Sequence, residues 1–152
     1  QRDPEINLAL FSAARRELWQ HSIAPALERD AVVLAARNYL STLAYQGYGE
    51  GLDLDHIRET TALFTGARYM APDHIVVLTM NDDAERKRRL AERSSSVRLD
   101  AFESRADDFQ YRVNNGYAAL ARDMALPVVE CIAPDHRKTP AEIQAEILRI
   151  IS

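Results

Sequence analysis

Cysteine is nearly absent. Cys131 is the only one in 152 residues, so neither a disulfide nor a multi-cysteine zinc site can form within the chain. It stands in the apolar run PVVECI and reads as a core thiol. Histidine is hardly commoner: His21, His56, His74 and His136 share no metal-ligand spacing, which removes a histidine zinc site and a histidine-based triad. Ser41 lacks the Gly-x-Ser-x-Gly elbow of a nucleophilic serine. There are five glycines, with Gly47, Gly49 and Gly51 close together, and nowhere does the chain read Gly-x-x-x-x-Gly-Lys-Ser/Thr. No apolar run approaches the roughly 18 residues of a membrane span and no secretory leader is seen, so no membrane partner is expected and the cytoplasm is the expected compartment. An excess of positive charge is also missing. With 19 Lys and Arg against 23 Asp and Glu the net charge is −4, which argues against a generic nucleic-acid binder but leaves room for local basic patches.

What is present suits an ordinary globular protein, 47% hydrophobic and 28% charged. A single domain over residues 1–152 is expected, burying about two thirds of its unfolded surface. No repeat, low-complexity tract or linker divides it. The chain opens with Gln1 rather than methionine, so it reads as trimmed or as part of a longer protein, incomplete at its N-terminus.

From Pro4 to about Gln20 apolar residues recur at helical spacing, with Asp3 as N-cap and Pro4 in the first turn. His21 to Glu28 reads as a second helical piece, kinked near Pro25. The run Ala31–Ala35 is expected to be a strand buried on both faces. Asp53 or Asp55 can cap a helix reaching Phe64 and ended by Gly66. Two more strands are expected within His74–Thr79 and Pro127–Ile132. Between them lie an arginine-rich helix begun at Asn81–Asp83 and broken by the serines at 94–96, then a long helix over Ser104–Met124 with Phe109, Val113, Tyr117 and Leu120 as its stripe. Thr139, Pro140 and Glu142 form a capping box for the last helix. Strands separated by helices imply an α/β fold with a parallel sheet. Three strands are few for such a sheet, so others are expected beside them.

The chain is organised around Ala31 to Gly47, AVVLAARNYLSTLAYQG, an apolar run that gives way to Arg37, Ser41, Thr42, Tyr45 and Gln46. In open α/β sheets ligands bind beyond the carboxyl ends of the strands, which makes this cluster a candidate site. Phe11 and Arg15, four apart on the first helix, add a stacking surface and a fork of donors on one face. The Gln46 carboxamide both donates and accepts, matching the adjacent N–H and C=O of a thymine or uracil edge. The planar fork of Arg37 suits a phosphate.

These residues carry a resemblance. Arg37 followed by LSTLAYQG, with LFSAARRELWQHSIAPAL upstream, resembles the bacterial thymidylate kinases over nearly the whole chain. The resemblance implies a P-loop NTPase-like parallel sheet with flanking helices, ATP and Mg2+ as cofactors, small nucleotides as partners and a homodimer. It implies phosphorylation of dTMP to dTDP, with Phe11, Arg15, Thr42, Tyr45 and Gln46 around the thymidine and Arg37 on its phosphate. It also places residues 86–103 as a lid, from which Arg93 or Arg98 would bring a cation to the transferring phosphoryl group, Asp100 and Glu103 keeping the lid's acidic pair.

The sequence departs from that pattern at four points. The first strand and its phosphate loop are not seen; the aspartate expected before the arginine is Ala36; the residue after it is Asn38; and the lid motif reads DAFE, with Ala101 in place of arginine. The rival expectation is therefore a non-catalytic nucleotide-binding pseudokinase, or a fragment that binds dTMP without turnover. A third keeps the enzyme and changes the acceptor to another pyrimidine deoxynucleotide.

Overall fold

The Asp3-Pro4 pair starts the first helix as its chemistry requires. In this computed structural model, described for residues 2–80, 85, 88, 107–133 and 135–152, helix α1 spans Pro4–Leu18. The Asp3 side chain accepts from the Glu5 amide at 2.8 Å, and Pro4 occupies a position with no N–H bond to lose. α1 does not simply stop. It widens into a π-helical stretch, Trp19–Ile23, before the short α2, Ala24–Leu27. Pro25 explains the change, since it cannot donate to the turn behind it.

The described residues group into two compact units, Gln1–Asp73 with Asp108–Leu120, and His74–Asp107 with Ala121–Ser152. In the first, α3 (Tyr39–Thr42) is capped by Asn38, whose Oδ1 accepts from the Leu40 amide at 2.9 Å. It runs directly into a second π-helical stretch, Leu43–Gly49. α4 (Leu54–Thr65) is capped by Asp53 rather than Asp55, through the His56 amide at 2.8 Å, and ends at Gly66 with φ 85°. The short α5, Ala67–Met70, follows. Leu8 of α1, Leu40 and Leu43, and Ile57 of α4 are almost wholly buried and make the core of this unit. Phe109 and Val113 of α6 (Asp107–Asp123) are buried too, as their stripe predicts.

The expected strand at Ala31–Ala35 is not formed. The segment has no regular structure and pairs with no strand among the described residues, and Val32 and Leu34 are 89% and 87% exposed. An apolar run of this kind becomes a buried strand only when neighbours take its backbone bonds and cover both faces, and among the described residues none does.

In the second unit the other two expected strands pair. β1 (Val77–Thr79) and β2 (Val128–Glu130) lie parallel, with Val77 opposite Val128 and Thr79 opposite Glu130. Both are shorter than the apolar runs that announced them. The Cys131 amide donates to the Thr79 carbonyl at 2.8 Å, and the thiol is buried, as a core cysteine should be.

The last helix, α7 (Pro140–Ile151), opens with the capping box. The Thr139 amide and hydroxyl donate to Glu142 at 2.7 and 2.8 Å, and the Glu142 amide returns a bond to Thr139 Oγ1 at 3.3 Å. The Thr139 amide, then its hydroxyl, then His136 hold the Glu142 carboxyl down to about 2, against 4.5 for a solvated glutamate. A carboxylate whose folded value is depressed stabilises fully above its unfolded value and loses that contribution as pH falls through the folded one. Glu142→Gln is therefore expected to flatten the fall in melting temperature between about pH 5 and about pH 2. Circular dichroism melts that fall equally steeply in parent and variant would remove this role.

Candidate functional site

One stripe of α1 carries the first part of the site. Asn7, Phe11 and Arg15 recur at intervals of one helical turn and so share a face. The Arg15 guanidinium lies over the Phe11 ring, 5.7 Å from its centroid, and Nη2 donates to the Asn38 carbonyl at 3.1 Å. Burial pulls the Arg15 pKa down, while the neighbouring hydroxyls of Tyr69 and Tyr117 act the other way; an arginine remains charged throughout. Its Nη1 is buried without a hydrogen-bond partner among the described residues. The Tyr69 hydroxyl also interacts with this guanidinium, and the Phe11 ring beside it is still 38% exposed.

The second part lies at the turn into α3. Arg37 is not at the end of a rigid strand, as expected, but in an exposed turn after an unpaired segment, with φ 75°. That left-handed conformation costs an L residue roughly 1–2 kcal/mol. Its guanidinium sits over the Tyr45 ring, 5.4 Å from the centroid. Tyr45 in turn meets Phe109 and Tyr117 edge-on, at 6.1 and 6.5 Å between centroids. The Tyr117 hydroxyl donates to Ser41 Oγ at 2.8 Å. Burial pushes the Tyr117 pKa up, the Ser41 bond opposes it, and both Arg15 and Arg37 act on it.

The third part is buried. Gln46, 1% exposed, donates from Nε2 to Glu50 Oε2 at 2.9 Å. Asn7 Nδ2 reaches the same carboxylate at 3.3 and 3.5 Å. Thr42 is equally buried, and its Oγ1 has no hydrogen-bond partner among the described residues. An unsatisfied buried hydroxyl costs about 1–3 kcal/mol, so such a group is a place where a ligand can repay the loss.

Phe11, Arg15, Arg37, Thr42, Tyr45 and Gln46 thus all fall in the first unit, linked through α1, the Asn38 turn and the second π-helical stretch. Arg93 and Arg98, with Ala101, Asp100 and Glu103, lie outside the described residues, as does most of the lid at 86–103. Sequence reasoning missed Asn7, Glu50 and Tyr117. Asn7 could have been found by extending the Phe11–Arg15 stripe back one turn, and Glu50 by the same spacing after Gln46. Tyr117 was legible only as part of an apolar stripe, because nothing local tells a tyrosine in a core from one facing polar neighbours. A cavity of about 480 Å³, lined by Leu18, Ile23, Ala26, Val32 and Leu34 among others, touches the site at Arg37. Its side-chain lining is mainly aliphatic, with Ser22 and Arg37 as the polar exceptions. Among the described residues no three of His, Cys, Asp and Glu converge as a metal site.

Comparison with known proteins identifies the family to which the chain belongs. The thymidylate kinase family profile matches residues 1–135. The thymidylate kinase of Chlorobaculum tepidum is 35% identical over 97% of this chain and 69% of its own length. That of Dehalococcoides mccartyi is 39% identical over 77% of this chain and 53% of its own. The chain therefore spans between about half and about two thirds of these curated relatives. In fold it is similar to the crystal structure of thymidylate kinase from Ehrlichia chaffeensis, at a TM-score of 0.72 and 24% identity, over 99% of this chain and 68% of that one. A family profile that covers most of the chain, joined to relatives aligned across nearly all of it, places this protein in the thymidylate kinase family of phosphotransferases.

Proposed function

We propose that the protein phosphorylates dTMP to dTDP with ATP as donor, and that this chain carries the acceptor side of that reaction. The observation that carries the reading is the pairing of a buried carboxamide, Gln46, with two guanidiniums each resting on an aromatic ring. Thymine is flat, has an N–H flanked by two carbonyls, and bears a 5′-phosphate some distance from the base. Phe11 would supply the stacking face and Arg15 Nη1 a donor for a base oxygen. Gln46 would pair with the N–H and an adjacent carbonyl, and Thr42 and Tyr45 would close the pocket. Arg37 would take the phosphate with its planar fork, from a turn that already accepts backbone strain to present it. Arg93 or Arg98 would come from the lid.

ATP with Mg2+ is proposed from the family alone. Among the described residues no three of His, Cys, Asp and Glu converge, and the Ala36 side chain has no oxygen to offer a cation or its water shell. A small-molecule nucleotide partner, a homodimer and a cytoplasmic setting belong to the same proposal; no described helix is long and apolar enough to cross a membrane.

The test is turnover. With ATP and dTMP the protein is expected to release dTDP, resolved by ion-exchange chromatography, and to use dCMP at least about a hundredfold less well in kcat/KM. Saturable dTMP binding without dTDP would return the protein to the pseudokinase reading. Equal use of dTMP and dCMP would remove the base-reading assignment.

A further inference from the structure

A carboxamide reads opposite base edges according to which way it faces. With Oε1 towards N3 of a pyrimidine and Nε2 towards the 4-substituent, Gln46 accepts from an N–H and donates to a carbonyl, the pattern of thymine or uracil. Turned over about its last bond, it donates to N3 and accepts from a 4-amino group, the pattern of cytosine. That torsion is soft, so sequence alone does not choose between them.

Glu50 makes the choice. Its Oε2 accepts from Gln46 Nε2 at 2.9 Å. Turning the amide over would set its oxygen against a carboxylate oxygen, two acceptors with no proton between them. The carboxylate is itself steadied by Asn7 Nδ2, at 3.3 and 3.5 Å, from the stripe of α1 that also carries Phe11 and Arg15. Nε2 has two hydrogens, so one held by Glu50 leaves the other for a base carbonyl. Gln46 is almost fully enclosed, which leaves little water to compensate a reversed amide.

We infer that Glu50 is a positioning residue: it holds the Gln46 carboxamide in the orientation that accepts from a pyrimidine N3–H, and so sets the preference for a keto over an amino pyrimidine nucleotide. The inference rests on Gln46 reading the base, and its test separates the two. Isothermal titration of dTMP and dCMP into the full-length protein would be compared for the parent, Glu50→Ala, Glu50→Gln and Gln46→Ala. Glu50→Ala is expected to lower the dTMP-to-dCMP affinity ratio by about tenfold or more, while Glu50→Gln, which keeps an acceptor for Nε2, stays within about threefold of the parent. If Glu50→Ala does not fold, Asn7→Ala, which unsteadies the carboxylate without removing it, is expected to lower the ratio in the same direction. A ratio unchanged in Glu50→Ala, or in Asn7→Ala in its place, but collapsed in Gln46→Ala overturns the role of Glu50 and leaves Gln46 as the reader. A ratio unchanged in Gln46→Ala overturns both.

Discussion

Arg37→Gly is expected to bind dTMP about a hundredfold more weakly than the parent while binding thymidine equally well and melting at nearly the same temperature. The first part follows from the loss of a charge-assisted, two-pronged contact to phosphate, worth about 1.5–3 kcal/mol per bond to a charged group, with each 1.4 kcal/mol a factor of ten. Thymidine has no phosphate and should not notice. The third part follows from the backbone. Arg37 holds φ 75°, a conformation glycine adopts freely, so the substitution relieves roughly 1–2 kcal/mol of strain. Glycine gains freedom in the unfolded chain and gives up the contact with the Tyr45 ring, each taking back roughly 0.5–1 kcal/mol. The gain and the losses nearly cancel. Titration calorimetry with dTMP and thymidine, beside a thermal melt, checks all three; equal losses for the two ligands would detach Arg37 from the phosphate.

The second large effect runs against helix propensity. Gly116 lies in the middle of α6, where an exposed glycine replaced by alanine would stabilise a protein by about 1 kcal/mol. Here a Cβ would meet the Tyr48 Cβ and Cγ at 2.7 Å. Those atoms are fixed by the backbone of the second π-helical stretch and cannot swing aside as a long side chain would. Gly116→Ala is therefore expected to cost about 1–3 kcal/mol, as overpacking does, and to lower the melting temperature by several degrees. Because Tyr117 follows Gly116 and bonds Ser41, dTMP binding should weaken as well. An unchanged or raised melting temperature would mean that Tyr48 yields at little cost.

Much of the frame was legible in the sequence because its signals are local. Asp3-Pro4, Asp53, Gly66 and the Thr139–Glu142 box each act within one turn of their own position, and each stands where its chemistry predicts. The parallel pairing of β1 and β2 was legible in a weaker way, from two apolar runs separated by helices. Ala31–Ala35 misled because burial on both faces is a property of neighbours, and an apolar run carries no record of whether they are present. The left-handed turn at Arg37 could not be read either, since arginine gives no sign of it as glycine would. In the site, residue types were readable and their coupling was not. Phe11, Arg15 and Gln46 could be named one by one, and Glu50 lies at helical spacing after Gln46, but that its carboxylate also meets Asn7 on α1 became visible only with the fold.

Leu43–Gly49 has a consequence for how this site can change over time. Its rings close over five residues where an α-helix uses four, so the segment accommodates one more residue per turn than the helices around it. Tyr45 and Gln46 therefore owe their directions to the length of the segment as much as to its composition. Point substitutions there can be graded and reversed, whereas dropping one residue would return the ladder to ordinary α spacing and rotate both side chains away together. Lineages descending from this chain are free to vary the letters between Leu43 and Gly49, within the limits set by packing, but hardly free to vary their number.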